Sequence, residues 1–162
     1  MPSSEAPPLQ VVLVEPQIPP NTGNIARLCA ATGCGLLLVG NLGFDLSDSA
    51  LKRAGLDYWE YVNWKHLPDK DAFFAALPEQ GFHLLTTHAV RPYTQIPAVW
   101  GDYLIFGKET AGLPNSLLEA HREQCYTIPI FVRGVRSLNL ASAAAVVLYD
   151  ALRRVRPFEP PG

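Results

Sequence analysis

Short apolar runs alternate with segments of helical periodicity along this chain, and that alternation is the feature that most restricts its fold. Gln10–Val14 is an apolar run, broken by Pro16, Pro19 and Pro20, after which Ile25, Leu28 and Cys29 share one helical face. Asn21 offers a cap for that helix and Gly33 a stop. Leu36–Val39 reads as a second buried strand. Ser47 and Asp48 open a short helix ending near Gly55, and Tyr58–Trp64 alternates as a third strand. Asp69–Leu77 is helical, Phe82–Thr86 and Asp102–Phe106 are strands, and Pro114 starts a short helix through Ala120. Tyr126–Ile130 is the last strand and Leu140–Arg154 the last helix. Strands separated by helices are most simply joined by crossovers, which predicts an α/β fold with a mostly parallel sheet flanked by helices. In such sheets ligands bind at loops beyond the carboxyl ends of the strands.

A chain of 162 residues, 48% of them hydrophobic, suffices for one buried core, so residues 1–162 read as a single domain. Prolines cluster in 1–8 and in 157–162, three in each, and both segments are expected to be flexible tails. No apolar run of about 18 residues is present to span a bilayer, and the start lacks the order of a signal peptide. A cytoplasmic protein is expected, with no membrane partner. Cys29, Cys34 and Cys125 form no Cys-x-x-Cys pair and read as reduced, buried thiols. A net charge of −2 argues against coating nucleic acid through bulk charge, yet leaves room for a local basic site. His66, His83, His88 and His121 are isolated and read as surface or core residues; no cluster has metal-ligand spacing, so no metal is expected.

Three loops carry surplus polarity. In Asn21-Thr22-Gly23-Asn24-Ile25-Ala26-Arg27, helix-start amides and an arginine one turn on suit an anion, although a capped helix with a surface arginine would look the same. Phe106-Gly107-Lys108-Glu109-Thr110-Ala111-Gly112-Leu113-Pro114 sets Glu109 between two glycines. That suits a loop passing close to a ligand while Glu109 meets a cationic or hydrogen-donating group, or a tight turn before a helix. It matches neither a dinucleotide fingerprint nor a phosphate-binding loop. Arg136-Ser137-Leu138-Asn139 precedes the last helix. Ser137 or Asn139 could cap that helix, which leaves Arg136 and one further polar group for a ligand.

Taken in order, Asn-x-Gly-Asn-x-x-Arg, Phe-Gly-x-Glu-x-x-Gly-Leu-Pro and Ile-Pro-Ile followed by Arg-Ser-Leu-Asn resemble the SPOUT methyltransferases over roughly residues 10 to 156. The short single-domain RNA 2′-O-methyltransferases are the nearest resemblance. Glu15-Pro16-Gln17-Ile18-Pro19-Pro20-Asn21-Thr22-Gly23-Asn24 and Gly55-Leu56-Asp57-Tyr58 are similar to those acting at tRNA wobble nucleotide 34, on cytidine or a modified uridine of leucine tRNAs. Ala141 departs from the pattern, since relatives often carry serine there.

The resemblance implies a deep trefoil knot near the carboxyl end, with S-adenosyl-L-methionine held by Leu85, Thr86, Gly107, Glu109, Gly112, Ile128, Pro129, Ser137 and Leu138. It implies Arg27 as the central catalytic residue, with Asn24, Glu109, Ser137 and Asn139 orienting the hydroxyl, the arginine or the loops. A guanidinium is a reluctant base, so Arg27 is expected to clamp phosphate and lower the pKa of the hydroxyl. Ser137 and Leu138 should face the cofactor and Asn139 the ribose. The resemblance also implies a homodimer joined through the knot and last helix, each site borrowing from its neighbour, with Arg27, Arg53, Arg133 and Arg136 gripping the tRNA anticodon stem-loop. The alternatives are a ribosomal RNA substrate, another tRNA position, or a non-catalytic RNA-binding module of the same fold.

Overall fold

The computed structural model describes residues 6–47, 49, 53 and 58–159, and in it the apolar runs form one six-stranded sheet. The strands are β1 (Leu9–Val14), β2 (Gly35–Val39), β3 (Trp64–Leu67), β4 (Phe82–Leu85), β5 (Asp102–Phe106) and β6 (Cys125–Tyr126). They lie in the order β3-β2-β1-β5-β4-β6, with every neighbouring pair parallel. The described helices are α1 (Pro19–Thr32), α2 (Lys70–Ala75), α3 (Asn115–Ala120) and α4 (Leu140–Val155).

β1 and β5 are central and covered on both faces, which is why they read as unbroken apolar runs. Alternate side chains feed two cores. Leu9, Val11 and Leu13, with Leu36, Leu38 and Leu104, pack against Ile25 and Cys29 of α1 and Val147, Leu148 and Ala151 of α4. On the opposite face Val12, Val14, Leu84 and Ile105 meet Leu117 and Leu118 of α3 and the α2 phenylalanines. α1 stops at Gly33, whose φ of 72° favours glycine. Glu15, at φ 52°, turns the chain out of β1, and its carboxylate is held 2.9 Å from Lys70 Nζ.

Several expected boundaries shift for identifiable reasons. Asn21 lies within the first turn of α1 rather than capping it; the cap position is Ile18, which has no side-chain acceptor. The expected strand Tyr58–Trp64 is instead a 3₁₀ turn over Trp59–Tyr61, followed by a strand that begins at Trp64. Trp59 packs against the core and Val62 is buried within it, a spacing of three that fits a 3₁₀ turn and defeats strand alternation. The last strand ends at Tyr126, not Ile130. Thr127 still bonds the chain at Arg91 and Tyr93, but Pro129 has no N–H to continue the ladder. Pro114 occupies the cap position of α3 rather than its first turn. The helix expected from Ser47 to Gly55 falls largely outside the described residues.

Pro8, inside the segment expected to be a flexible tail, is instead buried, and its carbonyl accepts the Gly101 N–H at 2.7 Å. Near the other end Phe158 packs edge-on against Tyr149. All three cysteines are buried and free, and burial pushes each thiol above its ordinary pKa. Histidine placement is as expected for His83, paired inside with Asp102 at 2.8 Å, and for His66, bonded to the Gly40 carbonyl. No helix among the described residues is long and apolar enough to cross a membrane.

Candidate active site

β4, β5 and β6 end side by side at Leu85, Phe106 and Tyr126, and the loops beyond them border an open cavity of about 860 Å³. That volume lies within the roughly 300–1,000 Å³ typical of small-molecule and cofactor sites. Leu85, Thr86, Gly107, Glu109, Gly112, Ile128, Ser137 and Leu138 all line it. Pro129 does not, although its neighbours Ile128 and Ile130 do. Lys108, His88, Thr127 and Arg136 complete much of the polar lining, His88 as the exposed surface residue expected from the sequence.

Loop 107–112 is shaped by its two glycines. Gly112 adopts φ 68° and donates its N–H to the Lys108 carbonyl at 2.9 Å, closing the turn. Gly107 sits against the returning backbone: a Cβ there would lie 2.6 Å from Gly112 Cα, and closer still to the Gly112 carbonyl carbon and Leu113 N. Gly107→Ala must therefore push backbone apart. The expected result is a loss of about 1–3 kcal/mol of stability by thermal denaturation.

Hydrogen bonds tie the three loops into one wall. Glu109 accepts the N–H groups of Gln17 and Ile18 at 2.9 and 2.7 Å and the Asn21 side-chain amide at 3.3 Å. Pro19 and Pro20 bring no N–H to the start of α1, so a carboxylate from a loop 91 residues away satisfies the donors just ahead of them. Its charge also sits at the favourable end of the helix dipole. Gln17 Oε1 in turn accepts from Thr110 N and Oγ1, at 3.2 and 2.7 Å. Asn139 Nδ2 donates to Asn21 Oδ1 at 3.0 Å, while Asn139 Oδ1 accepts from Ala141 N and Ser142 N and so caps α4.

Glu109 thus meets hydrogen donors, as its setting between glycines suggested, and those donors belong to the protein. Asn139, expected to face ribose, spends both ends of its amide on α4 and Asn21. Ser137 and Arg136 are exposed at the cavity rim. Arg27, Asn24 and Arg133 are exposed and do not line the cavity, and Arg53 is an exposed helical residue. The Arg27 guanidinium lies over the Tyr58 ring, 4.9 Å from its centroid. Gln17, Asn21 and Thr110 connect the loops; all three stand inside the quoted motifs, yet none was among the expected site residues, and polar side chains inside so proline-rich and glycine-rich a pair of loops were the available signal.

A second surface adjoins the cavity. Residues 131–139 are exposed throughout, including Phe131, Val132, Val135 and Leu138, and α4 exposes Ser142, Val146, Tyr149 and Arg153 along one stripe.

A doubly wound parallel sheet whose carboxyl-end loops are bonded into one cavity wall defines an α/β domain built to hold a small molecule or cofactor. The family model described as SpoU rRNA Methylase family matches residues 8–149, and the chain belongs to that family. It is 46% identical over 148 residues to the tRNA (cytidine(34)-2'-O)-methyltransferase of Escherichia coli strain K12, covering 91% of this chain and 94% of the relative. A solved structure described as giving structural insights into the 2-OH methylation of C/U34 on tRNA superposes with a TM-score of 0.84 at 41% identity, covering 93% of this chain and 97% of the other. An AdoMet-bound rRNA methyltransferase from Sinorhizobium meliloti superposes at 0.77 with 27% identity, over 91% of this chain and 57% of that one.

Proposed function

We propose that this chain transfers the methyl group of S-adenosyl-L-methionine to the ribose 2′-hydroxyl of tRNA nucleotide 34, a cytidine or modified uridine of leucine tRNAs. The observation that carries the reading is the convergence of the three motifs on one cavity, in a chain similar over nearly its full length to enzymes named for that reaction. The lining suits the cofactor. Leu85, Ile128 and Leu138 offer apolar contact for an adenosyl group, Thr86 and Ser137 offer hydroxyls, and Lys108 and Arg136 offer cationic partners for a carboxylate. When bound, the cofactor supplies an electrophilic methyl group on a sulfonium centre.

Arg27 then has two tasks: to hold the RNA backbone by paired N–H donors, and to stabilise the charge developing on the 2′-oxygen. It does not line the cavity of its own chain, although Asn21 of the same helix does. A homodimer resolves this by bringing Arg27 of one copy to the cavity of the other. The apolar residues of 131–138 and the α4 stripe are the surface that such a dimer would cover. Arg53, Arg133 and Arg136 extend the basic surface for the anticodon stem-loop. Glu109 and Asn139 act as positioning residues, holding α1 and α4 against the cavity loops. The knot that family membership implies falls in these same carboxyl-terminal loops.

Purified protein with labelled cofactor should methylate leucine tRNAs in preference to other tRNAs and to ribosomal RNA. A preference for ribosomal RNA would overturn the substrate; no cofactor binding up to millimolar concentration would overturn the enzyme reading.

A further inference from the structure

The segment ending at Tyr58 is a motif that the cavity does not absorb, and its described residue is the one that touches Arg27. The guanidinium carbon lies 4.9 Å from the Tyr58 ring centroid, within cation–π range. Tyr58 is well anchored. Its carbonyl accepts the Tyr61 N–H at 2.9 Å at the head of the 3₁₀ turn; the next residue, Trp59, packs on the core and edge-on against Trp64. Among the described residues no carboxylate pairs with Arg27. A ring beneath a guanidinium holds it by its face and leaves the in-plane N–H donors free for an anion.

We propose that Tyr58 is a positioning residue for Arg27, fixing the guanidinium on the exposed face of α1 so that its N–H fork is presented to the RNA. The inference rests on the reading of Arg27 as the substrate clamp. Without the ring, a long side chain on an exposed helix face must be ordered anew at each binding event, which lowers productive encounters without disturbing the cofactor cavity.

The test is a double-mutant cycle on methylation of leucine tRNA under single-turnover conditions, with cofactor Kd by calorimetry as the control for folding. Y58A should lower kcat/KM about five- to tenfold with cofactor Kd unchanged, and Y58F should restore most of that loss. Y58L, which fills space without a π face, should fall as far as Y58A. In the R27A background the further change caused by Y58A should shrink below about twofold. Equal losses from Y58A in both backgrounds, or a Y58L variant as active as Y58F, would overturn the role of Tyr58. An R27A variant as active as the parent would instead overturn the reading of Arg27 on which the role depends.

Discussion

Arg27→Ala should lower kcat/KM for methyl transfer to tRNA by about 100- to 1,000-fold, the loss seen when one preorganised donor to developing charge is removed. Cofactor affinity should stay within about twofold, because the role proposed for Arg27, in either copy, is to hold the RNA backbone and the 2′-oxygen rather than the cofactor. Arg27→Lys should recover only part of the loss: an ammonium keeps the charge but not the planar fork that grips phosphate by two N–H groups. Single-turnover kinetics with calorimetry separate these effects. A tenfold loss of cofactor affinity in the alanine variant would place Arg27 in the cofactor pocket instead.

Glu109→Gln should act on the opposite side of the mechanism. The carboxylate accepts from Gln17 N, Ile18 N and Asn21 Nδ2, and an amide in its place turns one acceptor into a donor facing donors. Hydrogen bonds to a charged acceptor are worth about 1.5–3 kcal/mol, and the helix start also loses its balancing charge. A loss of about 2–4 kcal/mol is expected, corresponding to a melting temperature lower by roughly 5–15 °C for a chain of this size. Because the same side chain fixes loop 107–112, cofactor Kd should rise at least about tenfold. A variant that melts with the parent but has lost catalysis would make Glu109 a catalytic residue rather than a positioning one.

The alternation of apolar runs and helices was enough to foresee the parallel sheet, since β1 and β5 are buried on both faces and show it in Val11-Val12-Leu13-Val14 and Leu104-Ile105-Phe106. Turn geometry was harder to read. Tyr58–Trp64 has the aromatic content of a strand, yet Trp59 and Val62 reach the core at a spacing of three, which composition cannot distinguish from alternation. At the site, the glycines flanking Glu109 suited either a loop passing close to a ligand with a donor-facing carboxylate or a tight turn before a helix. The identity of the donors could not follow from spacing, because Gln17 and Ile18 lie more than 90 residues from Glu109 in sequence. Asn139 illustrates the same limit. Its residue type fitted a cap or a substrate contact, and the fold brought Asn21 to its free amide, 118 positions away. The motif marks Arg27 as a candidate only, whereas its perch on Tyr58 depends on how the 3₁₀ turn packs beside α1.

The central claim is the identity of the modified atom, and mass-spectrometric mapping of ribose methylation in tRNA from cells with and without this protein tests it most directly. The account predicts that the 2′-O-methyl group at nucleotide 34 of leucine tRNAs disappears without the protein and returns with the parent chain but not with R27A. Persistence of that methyl group in its absence, with loss of a ribose methyl elsewhere in tRNA or in ribosomal RNA, would contradict it.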